Sequence, residues 1–172
     1  KPQLNFPMHD IDSITKPVEI EKINQTGTQS LKNVAELTLD VYSSSNSDEQ
    51  ELTVLLVDDD SNITDSIKRI ILGFSNKNGY SCKIKILSDG IELIYELYQH
   101  QKKNCQSNVL ILCDEMMNYI NGSEAYQLIM KYLEDILKRV LFISISAFSD
   151  ESHKKRLDSL GIKYIYEKPI TR

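Results

Sequence analysis

No run of apolar residues in this chain approaches the roughly 20 that a membrane-spanning helix requires. The longest, TVLLV (53–57) and NVLILC (108–113), stop far short, and no signal-peptide pattern opens the sequence. A soluble, cytoplasmic protein whose segment here makes no direct membrane contact is the expectation. Basic charge is also in deficit. Lys and Arg number 20 against 25 Asp and Glu, a formal net charge of −5. No Lys/Arg block is dense enough to follow a phosphate backbone, so nucleic acid is not expected as a direct partner. Cysteine is scarce: Cys82, Cys105 and Cys113 are odd in number, form no CxxC pair and have no histidine at ligand spacing. That suggests neither a disulfide framework nor a zinc site, and fits reduced thiols. The chain opens on Lys1 rather than methionine, which reads as a piece of a longer protein.

What is present falls into two parts. Residues 43–51, SSSNSDEQE, are polar, serine-rich and aperiodic, and read as a linker. Upstream lies an arm, residues 1–42, or the end of a preceding domain. Its AELTLDVY places Leu37, Leu39 and Val41 on one face as a half-buried strand would. Downstream, residues 52–172 alternate strand-like runs with helix-period stripes. TVLLV (53–57) precedes a stripe of Ile63, Ile67, Ile70, Ile71 and Phe74. CKIKIL (82–87) precedes Ile91, Ile94 and Leu97, and NVLIL (108–112) precedes Ala125, Leu128, Ile129, Tyr132, Leu133 and Ile136. VLFISI (140–145) leads to a short polar helix with Leu157 and Leu160, and KYIYE (163–167) ends the series. This βαβαβαβαβ order predicts a parallel sheet covered by helices on both faces. The nearly continuous apolar character of the first, third and fourth strands marks them as buried on both sides.

In an open parallel sheet of this kind, ligands bind beyond the carboxyl ends of the strands, where strand order reverses. Those ends carry polar residues. Asp58, Asp59 and Asp60 follow the first strand, Asp114 ends the third, Ser146 the fourth and Lys168 the fifth. Singly, each has an ordinary explanation, since acids stabilise helix starts and a lysine before proline is commonly a solvated turn residue. Jointly, four strand ends deliver carboxylates, a hydroxyl and an ammonium to one rim. Carboxylates crowded in a small pocket raise one another's pKa unless a cation joins them, and Mg²⁺ with its oxygen ligands is the expected one. Asp114 would then be an oxygen nucleophile toward phosphorus. Lys168 would supply a second positive charge, and Ser146 a hydrogen bond that forms only after the phosphate arrives.

At this point the chain resembles the receiver domain of two-component response regulators. VLLVDDD (54–60) resembles the first strand and acidic pair, with Asp58 and Asp59 in those positions. VLILCDEMMNYINGSEA (109–125) resembles the phosphoacceptor segment: Asp114 as acceptor, Met117 three residues on and Gly122 eight residues on. ISISAF (143–148) matches the switch hydroxyl and following small residue as Ser146 and Ala147. SDGIELI (88–94) resembles the opening of the second helix, and LGIKYIYEKPI (160–170) the last strand and its lysine. The resemblance spans residues 52–172. It implies a flavodoxin-like, doubly wound five-stranded sheet of order 2-1-3-4-5. It also implies Mg²⁺ held by Asp59, Asp114 and the backbone carbonyl of Met116, with Asp58 bonding metal waters. The implied phosphoryl donor is a phosphohistidine on a histidine kinase or histidine phosphotransfer protein, and the implied setting a phosphorelay, with a hybrid histidine kinase as parent and a homodimer allowed. Asp60 is expected to start a helix rather than bind metal.

Several residues depart from the pattern. Asn118 stands in place of the usual proline, and Ile165 in place of the aromatic rotamer switch, with Tyr164 and Tyr166 expected on the opposite strand face. Met116 and Phe148 flank the pocket where polar residues often assist a hydrolytic water, so a long-lived phosphoryl group is expected. The sequence stops four residues past Lys168, before a fifth helix, which is expected in a continuation of the chain, the alternative being that the N-terminal arm covers its place. His9, His100 and His153 all read as surface residues. Two other classes compete. A receiver-derived scaffold would have no need of the uncompensated charge. A haloacid-dehalogenase-like phosphatase would need DxDx[TV] after the first strand, which DDDSN lacks, and would leave Asp114 unexplained.

Overall fold

The computed structural model describes residues 52–79, 81–103, 105, 107–147 and 150–168; the arm of residues 1–42 and the linker of residues 43–51 lie outside them, as does Phe148. Five strands form one parallel sheet: β1 (Leu52–Val57), β2 (Cys82–Leu87), β3 (Val109–Asp114), β4 (Val140–Ser146) and β5 (Tyr164–Glu167). Their spatial order is β2-β1-β3-β4-β5, as expected. Four α-helices connect them: α1 (Ser61–Asn78), α2 (Gly90–Lys102), α3 (Gly122–Tyr132) and α4 (Glu151–Ser159). No helix follows β5 among the described residues, which end at Lys168. Among them, no helix is long and apolar enough to cross a membrane.

Successive side chains of a strand point to opposite faces, and the central strands are apolar at both parities, so the sheet buries both of its surfaces. One core contains Leu55, Val57, Ile111 and Cys113 of β1 and β3 against Leu93 and Leu97 of α2, Ala125 and Ile129 of α3, and Leu157 of α4. The other contains Val54, Leu56, Leu110, Leu112, Ile143, Ile145 and Tyr166 against Ile67 and Ile71 of α1. Tyr164 and Tyr166 belong to this second face and Ile165 to the first, as strand alternation requires.

Local chemistry fixes where the helices begin. The Asp60 carboxylate accepts from Asn62 N–H at 2.8 Å, so this residue is a helix cap, as its position suggested. Asp89 caps α2 through Ile91 N–H at 2.9 Å, and Asp150 caps α4 through His153 N–H at 2.9 Å. Helix α1 ends at Gly79, whose φ of 73° is the left-handed conformation that glycine adopts without a Cβ penalty.

Two expectations from periodicity are corrected. The third stripe does not form one helix through Ile136: α3 ends at Tyr132, Leu133 leaves helical geometry at φ −129°, and Glu134–Arg139 form a 3₁₀ turn. Three residues per turn places Leu133 and Ile136 above one another, and both stay buried. In α2 the buried stripe is centred on Leu93 and Leu97, while Ile91 is 51% exposed. The start of α2 packs closely on the β3–α3 loop, where a Cβ on Gly90 would lie 2.6 Å from the Ile120 carbonyl oxygen.

Candidate functional site

The parallel register brings the carboxyl ends of β1, β3, β4 and β5 to one rim. Asp114 closes β3 opposite Ile145 of β4, so Ser146 projects one residue further along. Asp58 and Asp59 follow directly on β1, and Lys168 directly on β5. One carboxylate oxygen from each of Asp58, Asp59 and Asp114 lies within 4.8 Å of the others. Lys168 reaches across the sheet: its Nζ is 2.8 Å from Asp58 Oδ2 and 3.0 Å from Asp114 Oδ1. Its own backbone N–H donates to the Ser146 carbonyl at 2.8 Å, which ties the end of β5 to the end of β4. Asp58 and Asp114 are buried and Asp59 is exposed, so the group opens to solvent on one side. The five expected side chains therefore share one rim. Met116 follows Asp114 by two residues, with its side chain exposed, and Met117 is buried in the core.

The electrostatics follow from this packing. Burial pushes the Asp114 carboxyl above its ordinary value, against the opposing pull of its bond to Lys168, with Asp58 adding repulsion. Burial pulls the Lys168 ammonium down, but its bonds to Asp58 and Asp114 outweigh that and leave it above the ordinary lysine value. Cys113, next to Asp114 and fully buried, is raised well above the usual thiol range, first by burial and then by neighbouring carboxylates, so it is a core residue rather than a nucleophile.

Four residues that frame the site were not singled out as functional from sequence. Asp89, buried at the end of β2, accepts from Tyr119 N–H at 2.9 Å and Ile120 N–H at 3.3 Å besides capping α2, so it pins the β3–α3 loop. Glu115, 2% exposed, accepts from Ser123 Oγ at 2.7 Å, from Ser123 N–H at 3.0 Å and from Arg156 of α4 at 2.5 Å. Asn118, noted only as a departure from the usual proline, donates from Nδ2 to Asp59 Oδ2 at 3.1 Å. His153 is not a plain surface residue: it is half-buried, and its Nε2 lies 3.4 Å from Ser146 Oγ. His100 is likewise half-buried, bonded to Ser107 at 2.9 Å, with burial lowering its pKa. No sequence pattern pairs His153 with Ser146, because the two meet only through the placement of α4 against the end of β4.

Gly122 is required by the same geometry. A Cβ there would overlap the Asp114 carbonyl oxygen, so only glycine lets α3 begin this close to the acceptor strand.

No family model matches the chain, and no curated protein matches it. Solved structures do. A response regulator receiver protein from Dyadobacter fermentans is 21% identical with a TM-score of 0.58, over 70% of this chain and 88% of that one. A chain of the CheX–CheY–BeF3–Mg²⁺ complex from Borrelia burgdorferi is 23% identical at 0.55, over 70% and 80%. The receiver domain of the histidine kinase CKI1 from Arabidopsis thaliana, complexed with Mg²⁺ and BeF3⁻, is 22% identical at 0.52, over 67% and 80%. The chain has the fold of response regulator receiver domains: a CheY-like, flavodoxin-type sheet of order 2-1-3-4-5.

Proposed function

We propose that this domain accepts a phosphoryl group onto Asp114 from a phosphohistidine of a histidine kinase or histidine phosphotransfer protein, with Mg²⁺ as cofactor, as one step of a phosphorelay. The observation that carries this is the convergence of three carboxylates within 4.8 Å, with one ammonium bonded to two of them. One positive charge facing three negative ones leaves the site short of a cation, and hard oxygen donors suit Mg²⁺. Asp58, Asp59, Asp114 and the Met116 carbonyl are the groups that would hold it. A bound Mg²⁺ would supply charge neutralisation for the phosphoryl oxygens.

The chain's own residues perform the rest. Asp114 Oδ1 already takes Lys168 and the Glu115 N–H at 2.9 Å, which makes Oδ2 the attacking oxygen. Its lone pair forms the new O–P bond as the P–N bond to the donor imidazole breaks, and the electron pair leaves on nitrogen. Lys168, held between Asp58 and Asp114, stands where a phosphoryl oxygen on Asp114 needs a cation. Ser146 provides a hydroxyl for a further oxygen.

Beryllofluoride, which mimics an aspartyl phosphate, tests the acceptor without a known donor. Binding that requires both Mg²⁺ and Asp114, and is lost in Asp114→Ala, is the expected result. A wild-type domain that takes up no beryllofluoride in the presence of Mg²⁺ would instead be a scaffold. The donor class is tested by transfer of label from a phosphorylated histidine phosphotransfer protein to Asp114.

A further inference from the structure

Among the described residues, side chains of α4 meet the acceptor region at Arg156 and at His153. At Arg156, Nη2 bonds Glu115 Oε1 at 2.5 Å and Nη1 approaches Ser123 Oγ at 3.3 Å. Glu115 is almost wholly buried and also bonded to the first turn of α3, so this charged contact fixes α4 against the residue next to Asp114. Three residues earlier, on the same side of α4, His153 places Nε2 at 3.4 Å from Ser146 Oγ. The backbone of His153 is itself held, because its N–H donates to the Asp150 carboxylate at 2.9 Å. The imidazole is thus set over the hydroxyl by an anchor on either side of it.

Resting on the relay reading, we propose that His153 is a positioning residue for phosphoryl capture: its Nε2 accepts the Ser146 hydroxyl proton and holds that hydroxyl out of use until a phosphoryl group on Asp114 competes for it. A serine hydroxyl has a single proton, and a phosphoryl oxygen can only accept. The proton that satisfies the phosphoryl group is therefore taken from His153. At 3.4 Å the contact to the ring is long for a hydrogen bond, and a charged acceptor outbids it. Phosphorylation then removes the His153–Ser146 contact and leaves the Arg156–Glu115 contact in place.

The test is Mg²⁺-dependent beryllofluoride binding to the full chain, compared among wild type, His153→Ala and His153→Gln. His153→Ala removes the competitor and is expected to bind about two- to tenfold more tightly, the size of one net hydrogen bond. His153→Gln, whose amide oxygen can accept the same proton, stays closer to wild type. In a Ser146→Ala background the effect of His153→Ala disappears, which a merely structural role for His153 would not produce. Nitrogen-edited NMR of the wild-type imidazole supplies a reading free of substitutions: Nε2 is expected as an unprotonated acceptor whose signal shifts when beryllofluoride is added. Equal or weaker binding by His153→Ala, with melting temperature and Mg²⁺ affinity at wild-type values, would overturn the inference alone. So would an Nε2 that carries a proton in the resting domain. Failure of the wild-type domain to bind beryllofluoride would sink the relay reading and this inference with it.

Discussion

Asp114 is held in a state that costs stability. Burial raises its pKa in spite of Lys168, so the folded protein disfavours the ionised carboxylate relative to the unfolded chain. Because the folded pKa lies above the unfolded one, the folded state binds the extra proton. The contribution of Asp114 to stability is therefore greatest below its ordinary value of 3.8 and is lost as pH rises through its folded pKa. Asp114→Asn removes that penalty, and without metal near pH 7 it should raise the melting temperature while abolishing beryllofluoride binding. Thermal scans at pH 4 and pH 7 check the sign, since the advantage of the variant should shrink at the lower pH. Gly122 shows the opposite coupling. Gly122→Ala forces the start of α3 away from the Asp114 carbonyl and should cost about 1–3 kcal/mol in a denaturant titration, with weakened Mg²⁺ affinity, because the acceptor strand shifts too.

Among the elements, α2 and the β3–α3 loop are joined by a single carboxylate. Asp89 caps the helix and receives the N–H groups of Tyr119 and Ile120, so one buried side chain satisfies donors from two segments 30 residues apart. Asp89→Ala leaves those donors without their acceptor. It should lower unfolding free energy by about 1–3 kcal/mol. Hydrogen exchange should quicken at Tyr119 and Ile120 as well as at the first turn of α2, whereas a simple cap loss would affect α2 only. The end of α3 illustrates a different rule. Apolar spacing through Ile136 suits a continuous helix, yet the chain tightens into a 3₁₀ turn after Tyr132 and keeps Leu133 and Ile136 buried. Burial of those side chains prevailed over helix continuity.

At the scale of the whole domain, the sheet is a device for bringing distant carboxylates together. Asp58 and Asp114 are 56 positions apart in sequence, and Lys168 reaches both only because β1 lies beside β3 and β5 closes the order next to β4. A site so acidic should be stabilised by whatever cation it binds. On the proposed function, saturating Mg²⁺ raises the melting temperature, with a gain of about 2.7 kcal/mol at 100 times the dissociation constant. The gain should vanish in Asp59→Ala and reverse with a chelator. Equal stability with and without Mg²⁺ would count against a metal role for the acidic group.

The alternation of apolar strands with helical stripes was enough to determine the parallel sheet, both buried faces and the strand ends on which Asp58, Asp59, Asp114, Ser146 and Lys168 sit. Those features are periodic and local: burial on two faces demands apolar residues at both parities, and strand ends announce themselves by a change to polar residues. What tertiary structure decided were partnerships between residues that no period connects. Lys168 choosing Asp58 and Asp114, Asp89 holding Tyr119 and Ile120, Arg156 neutralising Glu115 and His153 meeting Ser146 all depend on how α4, α2 and the sheet are placed relative to one another. A side chain's sequence neighbours do not reveal which distant group will share its low-dielectric surroundings, and that surrounding sets its charge, its hydrogen bonds and its use.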